Sequence, residues 1–119
     1  MAKKSYEFGE HKGLGWINAE IKKFSKKKFD TTHMGWNEVK IKKNENVFKN
    51  LSKKEVFYFA NSYFVDLYDK KIETSTCSYG INFTASIKSK NLVGIQFHPE
   101  KSQVSGLLIY KNFIENYVY

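Results

Sequence analysis

The chain has 119 residues, enough for one domain and too few for two. Hydrophobic residues make up 41% and aromatic residues 17%, which supplies a packed core and argues against a disordered chain. The formal net charge is +8, yet all 20 basic residues are lysines dispersed along the chain. Arginine, the residue suited to bidentate phosphate and base recognition, is absent, so the charge reads as solvated surface and no nucleic-acid partner is expected.

No apolar run approaches the roughly 18 residues of a membrane span. Met1–Glu10 contains lysines but no apolar stretch of the secretory kind. One cysteine, Cys77, allows neither an internal disulfide nor a Cys-x-x-Cys metal or redox site. A cytoplasmic protein with no metal, cofactor or membrane partner is the expectation.

Met1–Lys12 is polar and is expected to be irregular or the frayed end of a helix, and Gly13-Leu14-Gly15 marks a turn. Trp16–Phe24 alternates apolar and polar residues and reads as a strand, followed by a loop over Lys26–Thr32. Trp36–Lys43 alternates through Val39 and Ile41 as a second strand, and Val47–Leu51 suits a short helical turn. Glu55–Leu67 is dense in aromatics and predicts a buried strand, broken near Asn61-Ser62 and then resumed. Ile72–Tyr79 and Ile81–Lys88 flank Gly80 as a β pair, and Leu92–Phe97 reads as a short inner strand. After Pro99 the period changes: Val104, Leu107, Leu108, Tyr110, Ile114 and Val118 follow helical spacing, with Pro99 and Ser102 suited to the helix start. Many strands followed by one helix is the order of an α+β domain, or of the strand-rich half of something larger.

The stretch Gly94–Ser102 (GIQFHPEKS) is the most informative. A buried strand runs out at Phe97, and a histidine, a proline and an acid follow before the helix. Functional groups in open α/β sheets collect just past the C-terminal ends of strands. Two residues apart in an extended segment, His98 and Glu100 would project to the same side. A carboxylate beside an imidazole sets its tautomer and stabilises the imidazolium, as in a hydrolytic triad. Taken alone, His-x-Glu is more often the start of a capped helix than a catalytic pair.

GIQFHPEKS also resembles the histidine and glutamate signature of class I glutamine amidotransferases. Further segments agree in the family's order: KGLGWI at Lys12–Ile17, HMGWNEV at His33–Val39, FYFANSYF at Phe57–Phe64, YGINFTASI at Tyr79–Ile87 and SGLLIYKNF at Ser105–Phe113. The likeness covers nearly the whole chain and is narrowest to the glutaminase subunits of imidazole-glycerol-phosphate synthases. It implies an α/β fold, with residues 1–119 as the C-terminal, strand-rich portion of a flavodoxin-like amidotransferase domain ending in a helix.

By this resemblance a cysteine attacks the side-chain amide of glutamine, His98 matches the proton-transferring histidine and Glu100 the glutamate that orients it. Ser62 and Tyr63 align with a segment that holds the bound glutamine, with Asn61 where the family usually has histidine. Trp36, Asn37 and Lys101 match positions that face a (β/α)-barrel cyclase, the expected heterodimer partner. Ordinary core packing for Trp36 and Tyr63, and an unremarkable first-turn lysine for Lys101, are the alternatives.

The family's nucleophile sits in a Gly-x-Cys-x-Gly-x-Gln elbow, a strained strand-to-helix turn that exposes the thiol. No such sequence occurs in this chain, and Cys77 lies inside the predicted β pair. The expectation is a truncated portion with no glutaminase activity of its own. The resemblance leaves three roles open: ammonia supply for imidazole glycerol phosphate synthesis, ammonia supply for surface-sugar amidation, or a non-catalytic module docked on the cyclase.

Overall fold

Strand β4 (His33–Ile41) shows how alternation in the sequence becomes two faces of a sheet. His33 and Val39 are buried on one face, while Met34 and Trp36 stand exposed on the other. The chain is seen in a computed structural model that describes residues 4–5, 11–12, 17, 19–24, 33–43, 45–90 and 92–117. The expected turn at Gly13–Gly15, the loop at Lys26–Thr32 and Val118 lie outside the described residues.

Among the described residues nine strands form one sheet: β1 (Lys4–Ser5), β2 (His11–Lys12), β3 (Ala19–Lys23), β4, β5 (Lys54–Asn61), β6 (Tyr63–Leu67), β7 (Glu73–Ser78), β8 (Asn82–Ser89) and β9 (Leu92–Ile95). The order across the sheet is β2-β1-β3-β6-β8-β7-β4-β5, with β9 paired to β8 off this path. Among the described pairings only β1 with β3 is parallel. Among the described residues a single α-helix, α1 (Gln103–Tyr117), follows the strands. The chain is thus an α/β unit, a strand-rich sheet with a C-terminal helix.

The break expected near Asn61-Ser62 separates two strands with different neighbours. β5 pairs antiparallel with β4, from His33 opposite Asn61 to Lys40 opposite Lys54. β6 crosses to pair with β3 and, at Val65, with β8. The Asn61 amide donates to the Tyr63 carbonyl (2.8 Å) and braces the bend. Gly80, at φ +78°, takes the left-handed conformation that the turn between β7 and β8 needs.

Three expectations need correction. Met1–Lys12, expected to be irregular or the frayed end of a helix, contains the two-residue strands β1 and β2; β1 pairs with β3 and β2 with β1, a backbone pairing that a polar sequence does not announce. The helical turn expected over Val47–Leu51 is a 3-10 turn at Asn46–Phe48. Leu92–Phe97 is not an inner strand: β9 ends at Ile95, pairs only with β8 among the described strands, and leaves Ile95 37% exposed. A short apolar run looks the same in sequence whether one or both of its edges are paired.

Two groups of apolar side chains fill the core. The larger gathers Phe24, Val39, Phe57, Phe59, Phe83 and Phe97 from five strands or strand ends with Ile109 of α1. The smaller joins Ile17, Ala19, Leu67 and Ile87. Between β7 and β8 lies a buried polar strip, where Thr74 and Ser75 hydrogen-bond Ser86. Beside it the buried Glu73 accepts from Thr84 and pairs with Lys42 at 2.7 Å. Burial raises the pKa of Glu73, but the Lys42 and Thr84 hydrogen bonds and the lysine charges outweigh it and hold the carboxyl below its usual range.

Helix α1 docks by two devices. Buried Asn112 donates to the carbonyls of Val47 (3.0 Å) and Lys49 (2.7 Å), tying the helix to the 3-10 turn. Gly106 meets the backbone of Pro99 so closely that any side chain there would collide with it.

Candidate functional site

The site is built on the backbone of Tyr58 in β5. Its carbonyl accepts from the His98 amide (2.8 Å), and its own amide donates to Ser102 Oγ (3.0 Å). Ser102 Oγ in turn donates to the His98 carbonyl (2.6 Å). Just before His98, Phe97 is buried and stacks on Phe57 with ring centroids 4.1 Å apart. A core aromatic on one side and a two-point backbone clasp on the other therefore fix where His98 leaves the core.

His98 Nδ1 lies 2.7 Å from Glu100 Oε1. The pair meets, but not by extended spacing as the sequence suggested. His98 is extended, whereas Pro99–Lys101 forms a 3-10 turn, with Lys101 N donating to the His98 carbonyl (3.1 Å). The turn carries Glu100 back under the ring. Its own backbone amide and the His98 hydrogen bond hold the Glu100 carboxyl below the usual carboxylate range, with the charges of His98 and Lys101 adding to this. A carboxylate on Nδ1 favours a proton there and leaves Nε2 as the basic nitrogen. Both side chains are partly open to solvent. This geometry can take a proton from an approaching nucleophile and return it to a leaving group.

Ser102 stands at the start of the helix as expected, its carbonyl accepting from the Gly106 amide (3.2 Å), while its hydroxyl is committed to Tyr58 and His98 rather than to capping. Gln103, at φ +53°, turns the chain between the 3-10 turn and α1.

The other expected site residues separate into groups. Trp36 is exposed on the outer face of β4, its ring edge-on to Tyr58 at 5.8 Å. The Lys101 ammonium lies over the Tyr58 ring, 5.5 Å from its centroid. Trp36, Tyr58 and Lys101 thus form one surface cluster beside a groove of about 450 Å³ lined by Lys54, Glu55, Val56 and Val104. Asn37 is not part of it. It alternates to the opposite face of β4, where its amide donates to the Ser78 carbonyl (2.8 Å) and lies 3.1 Å from His33 Nε2. Ser62 and Tyr63 lie past the far end of β5, about 13 Å along the strand from Tyr58 at ordinary strand rise. There the Ser62 carbonyl accepts from the Phe24 amide (3.1 Å).

Cys77 sits buried in β7, and burial pushes its thiol up to about 12. It lies in a strand rather than at a strand-to-helix turn and is unsuited to act as a nucleophile. Sequence reasoning missed Tyr58 and Ser102. The signal for Tyr58 was its alternation with Phe57 and Phe59, which turns the tyrosine outward. Ser102 left no signal, because its partner is 44 residues away.

Comparison with known proteins places these features among relatives. The family profile described as glutamine amidotransferase class-I matches residues 6–116. Over 113 residues the chain is 41% identical to an imidazole glycerol phosphate synthase subunit HisH from Leptospira borgpetersenii, covering 92% of this chain and 55% of that protein. Over 112 residues it is 44% identical to a subunit HisH 2 of the same synthase from Methanococcus maripaludis, covering 93% and 55%. The chain therefore spans about half the length of the curated relatives it matches. The fold is shared with a solved Thermoplasma acidophilum protein assigned as part of a GMP synthase, at a TM-score of 0.65 and 21% identity over 82% of this chain and 48% of that one.

Proposed function

Because the chain belongs to the glutamine amidotransferase class-I family, we propose that it is the base-bearing part of a cytoplasmic glutaminase that supplies ammonia to a cyclase subunit for imidazole glycerol phosphate synthesis. The observation that carries this reading is the 2.7 Å contact between His98 Nδ1 and Glu100 Oε1, clasped to the Tyr58 backbone. The similarity to synthase subunits supports the choice of pathway.

In this reading His98 Nε2 takes the proton of a thiol brought from outside residues 1–119. The thiolate attacks the amide carbon of glutamine, and His98 returns the proton to the departing nitrogen as ammonia leaves. Water then adds to the thioester, with His98 again as base, giving glutamate and the free thiol. Glu100 holds the ring and balances the imidazolium charge. Trp36, Tyr58 and Lys101 form the surface that meets the cyclase. Ser62 and Tyr63 receive the amino-acid end of glutamine, away from the scissile amide.

Glutamate release from glutamine tests this. The chain alone is expected to release none. Fused to the unmatched half of the Leptospira relative, where the resemblance puts the thiol elbow, it is expected to release glutamate. His98→Ala in the fusion is expected to lower the rate at least about a thousandfold, in line with loss of a triad base. A fusion that stays active without His98 would overturn the assignment.

A further inference from the structure

The imidazole of His33 is shut into the core with one hydrogen bond unmet. It is 3% exposed, and its ring stacks between Phe59 (4.6 Å) and Tyr79 (4.3 Å), with Phe24 and Phe83 edge-on. Both faces are covered by aromatic rings, so the two nitrogens meet polar partners only in the plane of the imidazole. Asn37 decides which nitrogen carries the proton. Its Oδ1 accepts from the Glu38 amide (2.8 Å) and its Nδ2 donates to the Ser78 carbonyl (2.8 Å), so the side-chain amide cannot be turned round. That Nδ2 also lies 3.1 Å from His33 Nε2, which is therefore the acceptor. Burial holds the ring below its usual pKa and neutral near pH 7, which leaves the proton on Nδ1.

Opposite His33 in the β4–β5 ladder stands Asn61. Its amide is oriented too, because Nδ2 donates to the Tyr63 carbonyl (2.8 Å) and leaves Oδ1 as an acceptor. His33 Nδ1 and Asn61 Oδ1 are the only two buried side-chain polar atoms without a hydrogen-bond partner among the described residues. One is a donor and the other an acceptor. Directly opposed residues of an antiparallel pair project to the same face, with Cβ atoms roughly 5 Å apart. Buried polar groups are seldom left unpaired. A donor and an acceptor that share a face without bonding each other supply the two polar partners that a buried water needs.

We propose that one buried water bridges His33 Nδ1 to Asn61 Oδ1, and that His33 is thereby a positioning residue for the bend at Asn61–Tyr63. The positioning role rests on the reading under Proposed function, in which Ser62 and Tyr63 receive the amino-acid end of glutamine. Hydrogen bonds then run in one direction from the Glu38 amide through Asn37, His33, the water and Asn61 to the Tyr63 carbonyl, each polarising the next. The Phe24 amide holds the Ser62 carbonyl separately, so the bend is fixed from two sides. His98 takes its place from the Tyr58 backbone by other contacts. Loss of the bridge therefore reaches glutamine binding and not proton transfer.

The bridge is tested in the chain itself by isotope-edited NMR of labelled histidine and by crystallography. The Nδ1–H tautomer is expected for His33, its ring proton showing an Overhauser contact to a long-lived water, with water density within hydrogen-bond reach of both atoms. Asn61→Leu should abolish the water signal and keep the tautomer. An Nε2–H tautomer, a direct bond between the two side chains, or no density between them would overturn the bridge.

The positioning role is tested in the fusion of this chain with the unmatched half of the Leptospira relative. His33→Phe keeps the stacking and removes the donor. It is expected to raise KM for glutamine at least about fivefold while kcat stays within about twofold, the pattern of weakened substrate binding. Asn61→Ala should raise KM further, since it also releases the Tyr63 carbonyl, and the double variant should match Asn61→Ala alone. A merely destabilised fold would lower the active fraction, hence the apparent kcat, and leave KM in place. That pattern, or KM increases that multiply in the double variant, would overturn the role. A fusion that releases no glutamate in any form would sink the reading under Proposed function and the positioning role with it, while the bridge stands or falls on the NMR and diffraction result.

Discussion

Gly106 and Pro99 meet backbone to backbone: a Cβ on Gly106 would lie 1.8 Å from the Pro99 carbonyl oxygen. That contact seats α1 directly on the turn that carries Glu100. Because the opposing atoms are backbone, no side chain can swing aside. Gly106→Ala must therefore push the helix off the turn, and overpacking of this kind costs about 1–3 kcal/mol or more. A clear fall in melting temperature is expected, with chemical shifts moving at His98 and Glu100. An unchanged melt would show that the helix seats elsewhere.

Asn112 holds the middle of α1 through two backbone carbonyls while fully buried. Asn112→Ala leaves both carbonyls without that donor and opens a small void. The expected loss is about 2–3 kcal/mol by urea denaturation. Asn112→Asp should be worse still, since a carboxylate would face carbonyl oxygens.

His33 gives the protein an acid-sensitive core. Its ring is stacked between Phe59 (4.6 Å) and Tyr79 (4.3 Å), and burial lowers its pKa below the usual 6.5. The unfolded chain then binds the proton more readily than the folded one. Stability is complete above pH 6.5 and is lost as the pH falls below that value, until the folded pKa is reached. His33→Phe keeps the aromatic packing and should flatten this slope in thermal melts between pH 7 and roughly 5. An unaltered slope would assign the effect to another group.

Glu73 acts at lower pH. Its folded pKa lies below the ordinary 4.5, so its contribution is fully present above pH 4.5 and disappears as the pH falls through the folded value. Glu73→Gln should remove that acid limb. It should also destabilise the protein at neutral pH, because Lys42 and Thr84 lose their charged partner. Lys42→Met should shift the limb upward in pH, a separate check on the ion pair.

Lys101 and Trp36 provide a test of the surface proposed to meet a cyclase. Both flank the Tyr58 ring on the outer face of β5 and β4. Lys101→Ala and Trp36→Ala are each expected to weaken cyclase binding roughly tenfold or more, as expected of aromatic and charged anchors at an interface. Asn37→Ala should instead lower stability, since its amide bridges β4 to the Ser78 carbonyl at the end of β7. Titration calorimetry and melting curves separate the two outcomes.

Much of the strand pattern was legible because burial on one face imposes a period of two. The alternation through Val39 in β4 and the aromatic run of β5 announced their strands. The Asn61-Ser62 break was legible because polar residues interrupt an aromatic run. Whether Leu92–Ile95 sits inside the sheet or at its edge was not legible, since pairing belongs to the neighbour and not to the run itself. The same holds for Asn37, whose match to a family motif says nothing about the face of β4 it occupies.

From the sequence alone came the strand-then-helix order, the likeness to an amidotransferase family, and His98 and Glu100 as its candidate base and orienter. These are carried by local period and by a short contiguous motif. Only the tertiary structure decided that a 3-10 turn brings the two side chains together, that Tyr58 frames them, and that α1 leaves Val104, Leu107 and Ile114 exposed. Those outcomes depend on partners tens of residues apart, such as Tyr58 with Ser102 and Asn112 with Val47, and a linear sequence does not record which distant groups complete each other's hydrogen bonds.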